Sequence, residues 1–362
     1  MGEPRPGLRR VTIKDVARLA GVSVTTASVA LRRSAPVSEA TRRRVVEAAR
    51  ALGYHPNRLA RTLVLRRSTL VGLLVPDIAD PYFHEIVKGI ESEVSRHGFS
   101  VVLCDTDRSA ERQSRYVTEL RELQVSAVIA LGAEEYGEDG LRPLQEAGVR
   151  VVLIGGTIPG VARVRIRNDE AARLATEYLL SLGHRRIAFV AGPERNEAAR
   201  ARLRGYRRTL QLAGTWEPRL ELPGTFDVAS GYEAMYGLLA SPPEGPTRER
   251  PTAVLACNDQ MAIGALQAAL RAGVRVPGEM AVMGIGGIPL TAQMHPALST
   301  VGLPLREMGR VAGEYVCTTS EWPPGREILA EVGVPHAHGG PVAVSVLPIR
   351  LLPRQSTAPP MR

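Results

Sequence analysis

Between residues 12 and 53 the apolar positions recur at the three- and four-residue spacing of helices. TIKD at 12–15 has the pattern of a capping box, with Thr12 offering its hydroxyl three residues on and Asp15 reaching back. It predicts a helix to about Ala20 that carries Ile13, Val16, Ala17 and Ala20 on one face. Gly21 suits a tight turn that takes positive φ. Ser23 caps a second helix, Val24 to about Arg32, and Ser38 a third, EATRRRVVEAARAL, which ends at Gly53. Val45, Ala48, Ala49 and Leu52 of the third can cover the other two. Two short helices joined by a glycine-containing turn make a helix-turn-helix, whose second helix enters the major groove of DNA. Small Ala27 and Ala30 let that helix lie close to the first, and Ser23, Thr25, Thr26 and Ser28 offer hydroxyls to phosphates or base edges. A three-helix bundle without DNA would show the same spacing. In YHPNRLARTLVLRR, Pro56 ends what precedes it and Asn57 caps a helix from Arg58 to about Leu65. Such a helix is too short to persist alone. Bearing Arg58, Arg61, Arg66 and Arg67, it reads as a segment that folds on DNA, with a leucine wedged between base steps of the minor groove.

From Thr69 the pattern changes to apolar runs alternating with amphipathic stretches. TLVGLLVP, SVVLCD, VSAVIAL and VRVVLIG read as strands, and PYFHEIVKGIESEVSRHG, SAERQSRYVTELREL and EDGLRPLQEAG as the helices between them. The alternation restarts near Val164 with IAFVAG, AVLACN and AVMGIG as strands. The expected fold class is therefore α/β: a small all-α helix-turn-helix domain, then two lobes built on doubly wound parallel sheets. The expected boundaries are 11–56 for the first domain, 57–67 for a hinge helix or linker, and 68–357 for the body. Within the body, lobe 1 takes about 68–165 and 300–320 and lobe 2 about 166–298 and 325–357, with crossings near Ile166, near Ser299 and after about Thr319. Residues 241–251 and 321–341 are Pro/Gly-rich and read as surface loops.

Charge sharpens this picture. The net charge is +9, yet residues 1–67 hold fifteen Lys/Arg and four Asp/Glu, which is +11, so the remainder sums to −2. A basic head on a near-neutral body is the footprint of a nucleic-acid-binding module attached to something else. Cys104, Cys257 and Cys317 are scattered and odd in number, so a reducing cytoplasm is expected, with no disulfide framework, metal or cofactor. No apolar run approaches the ~20 residues of a membrane span, and MGEPRPGLRR lacks an apolar signal segment, so no membrane association is expected.

TIKDVARLAGVSVTTASVALRR followed by VSEATRRRVVEAARALGYHPNRLARTL resembles the LacI/GalR family of bacterial transcription regulators. LVGLLVPDIADPYFHEIVKGIE, ATEYLLSLGHRRIAFVAGP, ARLRGY, PTAVLACNDQMAIGAL and LLPRQST continue the resemblance in family order, over about residues 11 to 357. The resemblance implies a cytoplasmic, nucleoid-associated repressor that binds double-stranded, pseudo-palindromic operator DNA as a homodimer. It further implies a periplasmic-binding-protein-like body holding a small effector (a sugar, sugar phosphate, nucleobase or similar metabolite) between its lobes. Carried over by position, base reading falls on Val24, Thr25 and Val29, and phosphate or positioning contacts on Thr12, Ser23, Thr26, Ser28, Thr41, Tyr54 and Asn57. The minor-groove wedge falls on Leu63, with Ala60 and Arg61 beside it. Effector positions fall on Asp77, Tyr82, Phe83, Arg200, Asn258 and Asp259, although Phe83 could equally be core and Asp259 a helix cap.

Departures from the family pattern carry information of their own. Val29 stands where the family often has Arg; it cannot donate to guanine but can touch a thymine methyl. Arg32 and Arg33 stand where Asn and Gly are common. Gly286, in GIGG, replaces a carboxylate that commonly grips effector hydroxyls, and Arg167-Asn168 replaces an Asp-Asn pair. An Arg167 that faces the cleft favours a phosphorylated or carboxylate effector over a neutral sugar; the other reading is a degenerate effector site and constitutive or architectural DNA binding. Catalysis has no support. GGTIPG and GIGGIP do not give G-x-G-x-x-G opening a helix, and His184 after Gly183 needs only a C-capping role.

Overall fold

The protein is described by a computed structural model that covers residues 11–32, 37–54, 68–132, 137–158, 161–241, 250–318 and 349–360. The chain divides after Ser68 into two compact units. The first holds α1 (Ile13–Ala20), α2 (Val24–Arg32) and α3 (Glu39–Ala51). At its start, the Asp15 carboxylate accepts from the Thr12 N–H at 3.0 Å and from the Thr12 hydroxyl at 2.7 Å. Gly21 takes the left-handed conformation, φ 63°, that turns the chain into α2. The Arg44 guanidinium of α3 donates to the Ala20 carbonyl at 2.9 Å, satisfying an end of α1 that the turn leaves open. The core is mostly alanine, with Ala17, Ala20, Ala27, Ala30, Ala48 and Ala49 around Val16 and Val45, so the three helices pack at short range.

The second unit opens with β1 (Leu70–Val75), α4 (Pro81–Arg96), β2 (Ser100–Asp105), α5 (Ala110–Glu122), β3 (Ala127–Leu131), α6 (Arg142–Glu146), β4 (Arg150–Ile154) and β5 (Ala162–Val164). These strands form one parallel sheet of order β2-β1-β3-β4-β5. The chain then runs through α7 (Asn168–Ser181), β6 (Ile187–Val190), α8 (Glu197–Leu212), β7 (Glu221–Leu222), α9 (Val228–Ala240), β8 (Ala253–Ala256), α10 (Asp259–Arg271), β9 (Ala281–Gly286) and β10 (Ser299–Gly302). It closes with α11 (Leu305–Thr318) and β11 (Arg350–Leu352). The second sheet, β7-β6-β8-β9-β10-β11, repeats the winding order of the first and ends in an antiparallel edge strand.

The structure corrects two expectations. Ser299–Gly302 pair with β9, so the chain leaves the second sheet just after Gly302, and not at 298–300. Past that point α11 packs on α4, β3 and β4 of the first lobe. EDGLRPLQEAG is not one helix: Glu138–Leu141 is a 3-10 turn before the five-residue α6, as Gly140 and Pro143 would suggest. The strands β5, β7, β10 and β11 have two to four residues, too few to show a period. The hinge helix expected at 57–67 lies outside the described residues.

Helices in this unit meet at glycines. A methyl group at Gly89 of α4 would run into the Arg306 carbonyl, and one at Gly309 of α11 into that of Ile86. Gly231 of α9 and Gly264 of α10 abut the partner helix's backbone in the same way, at Met261 and Val228. Bare backbone at each crossing lets the axes approach closely and keeps packing dense.

His184 is buried, and its ring Nε2 donates to the Ala358 carbonyl at 2.9 Å while the Thr252 hydroxyl donates to Nδ1 at 2.8 Å. Burial holds its pKa below the ordinary 6.5, against the hydrogen bond to Ala358. The unfolded chain therefore takes up this proton more readily. The stabilisation is complete above pH 6.5 and is lost as pH falls through the folded-state pKa. Thermal melts of wild type and His184→Gln between pH 7.5 and 5 are expected to show an acid-side fall in Tm that is shallower in the variant; equal slopes would count against this role.

Candidate DNA-reading helix and interlobe cleft

In the first unit, Ser23 caps α2, its Oγ accepting from the Thr26 N–H at 3.0 Å and lying 2.8 Å from the Thr26 hydroxyl. Ala27 and Ala30 are fully buried on the inner face of α2. Turning that face inward leaves Val24 and Thr25 exposed and Ser28 and Val29 half-buried on the outer side. Thr41 and Tyr54 are half-buried, and the Thr41 N–H is capped by Ser38 at 3.3 Å. α2 thus presents an apolar–hydroxyl surface, valines beside threonine and serine, suited to thymine methyls and phosphate oxygens. Asn57, Arg58, Ala60, Arg61 and Leu63 lie outside the described residues.

In the second unit the cleft lies where the two winding orders reverse, at the carboxyl ends of β1 and β3 facing those of β6 and β8. In open α/β sheets this is where ligands bind. Two chambers meet there, sharing Tyr82, Gly155 and Ala198. The inner chamber has about 600 Å³ of empty space, the open solvent at its mouth included. One wall is aromatic: Tyr82 and Phe83 meet edge to face, centroids 5.3 Å apart, and Phe226 also lines the chamber.

Its polar groups are held from both lobes. Asp80 caps α4, one carboxylate oxygen accepting from the Tyr82 N–H at 2.9 Å. The other oxygen lies 3.8 Å from the Arg108 guanidinium. Burial raises the Asp80 pKa, opposed by that backbone hydrogen bond, by Arg108 and by a hydrogen bond from Gln260 of the opposite lobe. The Arg202 side chain is buried; its Nε donates to the Asn168 side-chain Oδ1 at 2.9 Å and its Nη1 to the Cys257 backbone carbonyl at 2.6 Å. Those bonds fix the guanidinium with Nη2 left to offer the chamber. Asn258 caps α10 at 2.9 Å and donates to the Phe226 carbonyl at 2.7 Å.

Of the sequence-predicted effector residues, Tyr82, Phe83 and Asn258 line the inner chamber, and Arg167 and Asn168 the outer one. Four others point elsewhere. Asp77 closes a turn by accepting from the Ala79 N–H at 2.9 Å. Arg200 is exposed, its guanidinium on the carbonyls of Glu194 and Arg195. Asp259 is buried, accepting from the Thr300 hydroxyl at 2.5 Å and the Ile288 N–H at 2.9 Å, and burial raises its pKa. Gly286 lies against it: at φ 155° a side chain there is strained, and its Cβ would sit 2.8 Å from an Asp259 oxygen. A carboxylate at 286 would have to share that space.

Asp80, Arg108, Asn196, Arg202 and Phe226 are the polar and aromatic lining residues of the inner chamber absent from the sequence-based expectation. Arg202 was legible in ARLRGY: Ala199, Arg202 and Tyr206, at helical spacing, are the buried stripe of α8, and Arg200 is off it. Asp80 was legible as the cap before Pro81. Among the described residues, no helix is long and apolar enough to cross a membrane, and no His/Cys/Asp/Glu group gathers for a metal. The three cysteines are free thiols, and burial pushes those of Cys104 and Cys317 up to about 11.

The model for bacterial regulatory proteins of the lacI family matches residues 12–57, and that for a periplasmic binding protein-like domain matches 176–357. The ribose operon repressor of Escherichia coli K12 is 35% identical over 313 residues, 83% of this chain and 90% of that protein. The HTH-type transcriptional repressor PurR of Aliivibrio fischeri ES114 is 32% identical over 310 residues, 84% of this chain and 90% of its own. Among solved structures, the lac repressor dimer bound to operator and the anti-inducer ONPF superposes with a TM-score of 0.80 at 28% identity, covering 97% of this chain and 100% of that one. The complex of the transcriptional regulator CelR with cellobiose gives 0.66 at 32%, covering 96% and 100%. Similarity of this extent, running from the reading helix through both lobes, places the chain in the lacI family of bacterial regulatory proteins, DNA-binding transcriptional repressors and not enzymes.

Proposed function

We propose that this protein is a repressor that binds a pseudo-palindromic operator as a homodimer and is controlled by a small polar ring compound held between its lobes. In this reading it works in the cytoplasm, on the nucleoid. The observation that carries it is the aromatic-walled cleft with Arg202 locked at its base, set where the two sheets reverse their winding. The relatives support it: one is named for the ribose operon, one solved neighbour holds cellobiose, and another is a dimer on operator DNA. A second reading, constitutive or architectural DNA binding, is favoured by Gly286, which stands where the family pattern has a carboxylate.

Selection of fragmented genomic DNA on the purified protein at near-physiological salt separates the two. A few imperfect palindromes upstream of genes are expected; diffuse recovery with steep salt dependence would favour the architectural reading. Within the selected half-site, the base pair facing Val29 is expected to present a thymine methyl. Val29→Ala then weakens that preference by about 1 kcal/mol, near fivefold. A guanine at that position, retained in Val29→Ala, would sink the assignment.

A further inference from the structure

The outer chamber has a charge pattern that a neutral ligand does not use. Arg165, Arg167 and Arg204 line it together with Asp169 and Glu197. Glu197 is already engaged: it accepts from the Thr157 hydroxyl at 2.9 Å and lies 3.9 Å from the Arg163 guanidinium. Among the described residues neither Arg204 nor Arg167 makes a side-chain hydrogen bond or ion pair, and the charge of Arg167 acts on Glu170. Glu170 itself is tied first to Arg173.

The fold sets both arginines on the lining of one chamber. Gly205 of α8 abuts the Asp169 carbonyl in the first turn of α7, with no room for a methyl group. That crossing brings the adjacent Arg204 to the start of α7, where Arg167 is the cap residue. Arg167 supplies no side-chain cap, and the Asp169 and Glu170 amides bond no backbone carbonyl. Guanidinium forks beside open helix-start amides are donors matched to the oxygens of a phosphate or carboxylate.

We propose that the effector carries an anionic group, and that Arg167 and Arg204 hold it in the outer chamber while its ring lies against Tyr82 and Phe83 in the inner one. The shared lining at Tyr82, Gly155 and Ala198 sets the two chambers side by side, so that one molecule can reach both. This rests on the reading of the cleft as the effector site and narrows its ligand to phosphorylated or acidic sugars.

The test is calorimetric titration of the full-length protein with ribose, ribose 5-phosphate, glucose, glucose 6-phosphate, glucuronate and inorganic phosphate. At least one anionic compound is expected to bind ten times more tightly than its neutral parent, or inorganic phosphate to bind in the millimolar range. The double variant Arg167→Gln/Arg204→Gln, at two exposed positions, is expected to abolish that preference, and Arg208→Gln on the exposed side of α8 to retain it. Which anion gains most separates phosphate from carboxylate. Neutral sugars binding as tightly as their anionic forms, a preference that survives the double variant, or no anion binding at all would overturn the proposal. If Arg202→Ala abolishes binding of a neutral sugar that the double variant still binds, the cleft remains the effector site and the anion subsite alone falls. If neither variant alters binding of any ligand, the cleft reading falls with it.

Discussion

Arg202→Ala is expected to remove the effector response while leaving operator affinity in the absence of effector unchanged. The side chain is buried and braced by Asn168 and Cys257, so its orientation is set before any ligand arrives. A pre-set guanidinium offers charge-assisted hydrogen bonds at little ordering cost. Losing one or two of them costs about 3 kcal/mol, roughly a hundredfold in the effector concentration needed. The variant also leaves the Cys257 carbonyl and Asn168 unpaired, which lowers stability by about 1–3 kcal/mol. Operator titrations in the presence of the sugars and sugar phosphates, run beside thermal melts, keep these effects apart. A wild-type response in a folded Arg202→Ala protein would remove the cleft from consideration. Arg200→Ala is the matched control, since its guanidinium only ties down the turn at Glu194 and Arg195.

The second large effect concerns two glycines of one helix. Gly231→Ala is expected to destabilise the two-sheet unit by about 3 kcal/mol, because the new methyl group meets the Met261 backbone of α10 and the helices must separate. Six residues on, Gly237 is exposed, with nothing within 4 Å of where a Cβ would stand. Gly237→Ala is expected to stabilise by about 0.5–1 kcal/mol, through helix propensity and a less flexible unfolded chain. Urea unfolding of both variants reads the signs directly. Losses of similar size at both positions would mean that the close crossing is not what fixes Gly231.

Both predictions rest on details that the linear pattern carries only in part. The strands β1, β2, β3, β4, β6, β8 and β9 were legible because each is an apolar run bounded by turn residues. The short β5, β7, β10 and β11 were not, since two to four residues cannot display a period. For β10 the consequence was a crossing placed at Ser299, before the strand, and not after it. In the cleft, Tyr82, Phe83 and Asn258 were placed by the family resemblance, and each stands in the segment that follows a strand end. Arg200 and Arg202 are two residues apart, which on a helix is about half a turn, so choosing between them required knowing which face of α8 is buried.

What the sequence determined by itself is whatever depends on neighbours within a few residues. The caps at Ser23 and Ser38, the Asp15 carboxylate on the Thr12 N–H, the left-handed turn at Gly21, the small inner face of α2 and the alternation of strand and helix all belong there. So does the basic head, a sum over residues 1–67 that no fold alters. The tertiary structure alone decided which polar groups remain for a ligand. Asp259 is consumed by Thr300, forty-one positions away, and by the Ile288 amide. Arg202 is aimed by Asn168 and Cys257, and Asp80 is met by Gln260 from the opposite lobe. A side chain's hydrogen-bonding capacity is fixed by its chemistry, but how much of it is already spent depends on partners that only the folded chain brings within 3 Å.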